Sequence, residues 1–91
     1  MRITVTRTGG FAGRARRATL DTEGRPDSAE LTALASSALA ESGMPPYVVP
    51  DGFVYELEVD GSTGRFADPR LTEAQSALVR RVLTEGSQDA P

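Results

Sequence analysis

Chemistry needs side chains that can move a proton, attack a substrate or hold a metal, and this sequence offers few of them. Histidine, cysteine, lysine and tryptophan are absent, and all ten basic residues are arginine. The commonest general bases, activated nucleophiles and zinc ligands are therefore missing. Thirteen carboxylates remain, and a close pair of these can do acid–base work of the glycosidase kind. Here, however, they are scattered through turns, helix starts and one strand face. The residue types point to a protein with no catalytic activity, no cofactor and no metal, acting by binding another protein.

Three segments could carry such binding. In Gly9-Gly10-Phe11-Ala12-Gly13 a large aromatic is flanked by glycines. Phe11 either folds back onto a sheet edge or is presented as an anchor to a partner's pocket. The segment is no phosphate loop, because it lacks GxGxxG spacing and a following helix. Arg7, Arg14, Arg16 and Arg17 flank it and form a basic patch on an otherwise acidic chain. They either steer an acidic partner or pair across strands, with Arg2, Arg14 or Arg16 opposite Glu56 and Glu58. The stiff connector Met44-Pro45-Pro46-Tyr47 is either a second contact loop or a cover over one end of a sheet.

The elements that position these segments follow from periodicity. Ile3 and Val5 alternate with Arg2, Thr4 and Thr6, the pattern of a half-buried strand. A second strand is expected from about Arg14 to Asp21, with Ala18 and Leu20 inward and Arg17 and Thr19 outward. The Gly-rich segment joins the two as a hairpin. Asp27 and Glu30 are placed as a capping pair for a helix with an apolar stripe of Leu31, Leu34, Ala35, Ala38 and Leu39. Gly43 is expected to stop that helix.

Phe53, Tyr55, Leu57 and Val59 then alternate with Val54, Glu56 and Glu58, a strand with an inner apolar face and an acidic outer face. A turn over Asp60 to Gly64 leads to a short strand around Arg65 to Ala67. The last helix starts either at Asp68-Pro69 or at Thr72, where Gln75 completes a capping box. Its apolar face is Leu78, Val79, Val82 and Leu83, and Gly86 ends it. The expectation is an α+β fold of order ββαββα: a four-stranded, mainly antiparallel sheet with two helices packed on one face.

With 91 residues and 38% apolar content, the chain reads as one globular domain over residues 1–86 and a frayed tail over 87–91. A net charge of −3 argues against nucleic acid, which normally needs a basic surplus. An Arg-rich hairpin is the one feature in favour of RNA. No apolar run reaches the length of a signal peptide or a membrane span. A monomer in the cytoplasm is expected, with no membrane partner.

Several of these segments together resemble a known family. The opening Arg2-Ile3-Thr4-Val5 leads through Arg7-Thr8-Gly9-Gly10-Phe11-Ala12-Gly13 into Arg14 to Arg17. Downstream come Pro50-Asp51-Gly52-Phe53-Val54-Tyr55-Glu56-Leu57 and a closing helix with Leu78, Val82 and Leu83. This is similar to the emfourin family, small inhibitors of thermolysin-like (protealysin-type) zinc metallopeptidases found beside those peptidases in bacteria. The resemblance covers most of residues 1–85. Its most specific parts are the Gly-Gly-Phe-Ala-Gly tip and the Phe-x-Tyr strand.

The resemblance implies a metallopeptidase partner and a contact surface of Gly9, Gly10, Phe11, Ala12 and Gly13 with Arg7 and Arg14. Phe11 would enter the enzyme's pocket for a bulky apolar residue after the scissile bond. The Gly10 carbonyl would then lie near the enzyme's zinc, with Arg7 and Arg14 paired to acidic residues around the cleft. Alternatively, a carboxylate reaches the metal. The competing class is a non-inhibitory interaction module, an adaptor or assembly subunit.

Overall fold

A computed structural model describes residues 1–9, 15–44 and 52–89. The alternation at the N-terminus builds β1 (Arg2–Gly9), with Ile3 and Val5 fully buried. β2 (Arg16–Asp21) runs antiparallel to it, and Ala18 and Leu20 turn inward opposite Val5 and Ile3. β3 (Phe53–Val59) pairs with the other side of β1, placing Leu57 opposite Val5. Thus β1 is central, and its two neighbours present their apolar residues to the same face.

The chain turns from β3 into β4 (Ser62–Ala67) through Asp60 and Gly61 alone. Both have positive φ, 49° and 90°, as a two-residue hairpin turn matched to the strand twist requires. The expected longer turn over residues 60–64 is therefore corrected, since Ser62, Thr63 and Gly64 belong to the strand. Gly64 lies so close beneath the end of the first helix that a Cβ there would meet Ser42 Oγ at 2.7 Å.

That helix, α1 (Ser28–Ala40), buries Leu31, Ala35 and Ala38. It ends before Gly43 is reached: the Glu41 N–H donates to the Ser37 carbonyl, and Ser42 Oγ donates to the Leu39 carbonyl. The Gly43 N–H instead donates to the Arg65 carbonyl on β4. Asp27 occupies the N-cap position, but its side chain caps nothing. Its carboxylate accepts from Arg25 and from Arg81, and two guanidinium groups compete better for it than a backbone amide.

α2 (Glu73–Glu85) begins at Thr72, one of the two starts the sequence allowed, with Gln75 closing a capping box. Leu78, Val79, Val82 and Leu83 are all buried. They join the α1 stripe and the inner residues of the strands in one core cluster, so both helices pack on one face of the sheet.

The sheet has five strands, not four. Ser87–Asp89 forms β5, antiparallel to β2, in the order β4-β3-β1-β2-β5. This strand falls where a frayed tail was expected. Gln88 secures it by donating to the Leu83 carbonyl and accepting from Arg16 Nε.

The outer face also differs from expectation. Opposite Glu56 and Glu58, β1 places Thr6 and Thr4, while β4 places Arg65 and Thr63. Arg2 is paired in register with Asp21, and its backbone N–H donates to Asp60. Arg16 lies on the helix side, and Arg14 lies outside the described residues.

Candidate partner-binding site

The two ends of the chain that flank the Gly-rich tip are Gly9 and Ala15, and the tip itself, Gly10 to Arg14, lies outside the described residues. The expected placements of Gly10, Phe11, Ala12, Gly13 and Arg14 therefore have no structural counterpart here. Pro45 to Asp51, the body of the Pro-rich connector, also lies outside them. What the structure describes is the ground from which both segments depart.

Gly9 is the last residue of β1 and pairs in register with Phe53, the first residue of β3. Its φ of +86° is one that L side chains rarely adopt, and an added Cβ would lie 2.9 Å from the Gly52 carbonyl oxygen. A glycine is thus required on two counts. Because Gly52 directly follows the connector, the two candidate contact segments are rooted side by side at one end of the sheet.

Arg7 stands two residues before Gly9, on the inner face that also carries Ile3 and Val5. Its guanidinium lies over the Phe53 ring, 4.3 Å from the centroid, a cation–π arrangement. Phe53 is consequently half-buried beneath an arginine rather than sealed in the core. It continues into a short aromatic row, with Tyr55 at 6.3 Å and Phe66 a further 5.6 Å on. Burial raises the Tyr55 phenol above its ordinary pKa; the negative charge of Asp68 acts in the same direction and Arg7 opposes it.

Directly across β2, Arg7 faces Arg16. Arg16 has a structural task, since its Nη2 donates to the Leu83 carbonyl at 2.7 Å. That carbonyl is one of those the last turn of α2 leaves without a helical partner. Arg7 has no such outlet, and its Nε is buried without a hydrogen-bond partner.

Between these arginines and α2 runs an open groove of about 310 Å³. Arg80, Ser76 and Thr84 edge it from the helix, and Leu71, Val79 and Leu83 contribute apolar surface. Among the described residues no carboxylate lines it.

Of the residues anticipated as partner-binding, the structure thus brings Arg7 and Gly9 to the base of the tip. Arg80 was missed, as was the inward direction of Arg16. Part of the signal was available: counting by twos from Val5 puts Arg7 on the inner face, and from Ala18 puts Arg16 there. Among the described residues there is no group of three or more carboxylates placed to hold a metal. No described helix is long and apolar enough to cross a membrane.

A model of the emfourin family matches residues 5–83. The chain belongs to the emfourin family. The matched span runs from within β1 to the last turn of α2, so it includes both contact segments and all of the groove's lining but Thr84. The family is one of protein inhibitors of metallopeptidases rather than of enzymes, in keeping with a chain that has neither histidine nor cysteine. No curated protein and no solved structure matches the chain.

Proposed function

We propose that this emfourin inhibits a thermolysin-like zinc metallopeptidase by occupying its substrate cleft with the hairpin tip, Gly9 to Gly13. Membership of an inhibitor family over residues 5–83 carries the reading. Phe11 fills the enzyme's pocket for a bulky apolar residue, and the adjoining glycines let the backbone approach closely. The Gly10 carbonyl then comes near the enzyme's zinc. Arg7 and Arg14, at the base of the tip, meet acidic residues around the cleft.

Docking a Gly-rich segment has an ordering cost. The rigid ground beneath it offsets part of that cost, since Gly9 is held in register with Phe53 on one side of β1 and the strand is paired with β2 on the other. The Pro-rich connector is rooted next to the tip and would add a second contact.

Titrating the purified protein into a thermolysin-like peptidase while following cleavage of a peptide substrate tests the reading. Stoichiometric loss of activity with the inhibitor left uncleaved is the expected result. Phe11→Ala should weaken inhibition by about 2–4 kcal/mol, the range of an anchor residue. Inhibition unchanged by Phe11→Ala in a folded protein would remove the tip from the mechanism. Binding without inhibition would favour a non-inhibitory interaction module.

A further inference from the structure

Two arginines directly opposite each other on adjacent strands repel. Here the pair is Arg7 and Arg16, Arg80 lines the same groove, and among the described residues no acid lines it. None of the three forms an ion pair among the described residues. Two other arginines do find carboxylates: Arg25 bonds Asp27 and Glu85, and Arg81 bonds Asp27 and Glu85.

Asp68, whose charge acts on the neighbouring Tyr55, directs its Oδ2 to the Phe53 N–H and forms no ion pair with these arginines among the described residues. Arg16 is explained by its bond to the end of α2. Arg7 stacks on Phe53, but its buried Nε has no hydrogen-bond partner, and Arg80 has no ion pair among the described residues.

We propose that the groove between β1, β2 and α2 is a receptor for an acidic side chain of the partner peptidase, its carboxylate gripped by Arg7 and Arg80. This deepens the inhibitor reading and rests on it for the identity of the partner. Guanidinium groups match a planar carboxylate in geometry as well as charge. The hydroxyls of Ser76 and Thr84 offer further donors, and Leu71 and Val79 suit the methylenes of a glutamate. The groove is lined by Arg7, two residues before the end of β1 from which the tip departs, so one docking event can engage both. Arg7 acts there as a binding residue aimed at a carboxylate, two positions ahead of the tip rather than on it.

Two measurements test the proposal separately from the inhibitor reading. In the first, isotopically labelled protein is titrated with glutarate, and in parallel with inorganic phosphate, while the Nε–H resonances of Arg7 and Arg80 are followed. Saturable shifts with glutarate and weaker ones with phosphate are expected. No saturable glutarate response, or an equal response to phosphate, overturns a carboxylate receptor whatever the inhibition assay shows.

In the second, R80Q and R7Q are assayed against the inhibited peptidase, with R65Q on the opposite face as control. A rise in Ki of roughly 10- to 100-fold for each groove variant, a flatter dependence of Ki on salt, and less than a threefold change for R65Q are expected. Because Arg80 is exposed, R80Q tests the groove even if R7Q fails to fold. A wild-type Ki for R80Q and R7Q alike would overturn the groove's role while leaving inhibition by the tip intact.

Discussion

The Gln75 side chain, almost wholly buried, holds α2 at its start and joins it to α1 at the same time. Its Oε1 accepts from the Thr72 N–H at 3.0 Å, while its Nε2 donates to the Ala38 carbonyl at 3.1 Å. Ala38 lies in the last turn of α1, where carbonyls begin to lack helical partners. One amide thus satisfies a helix beginning and a helix ending. Replacing it by leucine removes both bonds and strands a buried carbonyl. Gln75→Leu should lower stability by about 1–3 kcal/mol, against about 0.5–2 kcal/mol for Thr72→Ala, which removes only the cap. Urea unfolding of the two variants measures the difference.

Gly9→Ala should be destabilising well beyond a surface substitution. The φ of +86° strains an alanine, and the new Cβ falls 2.9 Å from a backbone oxygen that cannot swing away. A loss of about 1–3 kcal/mol is expected. Thermal denaturation reads the loss, and amide exchange should quicken at Thr8 and at Phe53 together, because the two strand ends share this contact.

Acid should loosen the tie between the two helices. Asp27 is held down to about 2, first by its hydrogen bond to Arg25 and further by Arg81. Glu85 is lowered too, first by Arg81 and then by Arg25. A carboxylate whose pKa is lower folded than unfolded adds stability that is fully present above the unfolded value. It is lost as pH falls through the folded value. Melting temperature should therefore be flat from pH 7 to about 5 and fall from about pH 4 towards 2. Asp27→Asn should flatten part of that fall, and the effect should shrink in 1 M salt, since these groups are partly open to solvent.

Removing residues 87–91 should destabilise the protein rather than leave it unchanged. The deletion takes away β5 and leaves Arg16 without its Gln88 partner. Amides of Arg17, Ala18 and Thr19 should then exchange faster, because β2 becomes an edge strand. A small cost of about 1–2 kcal/mol is expected, in line with the loss of one or two exchanged hydrogen bonds.

Much of the architecture could be read from the residues alone. The alternation in β1 and β3, the apolar stripe of α1 and the Thr72–Gln75 box are local patterns with direct physical causes, and each stands in the structure. β5 was not legible, because Ser-Gln-Asp has no alternation and is held by contacts that form only when α2 ends beside β2. The capping role given to Asp27 failed for a related reason. Of its two competitors, Arg25 is a neighbour, but Arg81 is 54 residues away in sequence. The site divides along the same line. Strand parity already directs Arg7 inward, but its opposition to Arg16 depends on register, and Arg80 reaches the groove only through the packing of α2.

The shared root of the two contact segments has a consequence for how such an inhibitor can change targets. The chain leaves β1 at Gly9 and enters β3 through Gly52 and Phe53, in mutual contact. Gly9 and Phe53 are strand ends in register with each other, held by strands that the core fixes. New recognition sequences placed at residues 10–14 or 45–51 are therefore expected to leave this pairing unchanged. Retargeting then becomes a graft of two short peptides onto one shared base, and Gly9 is the position that such a library must leave untouched.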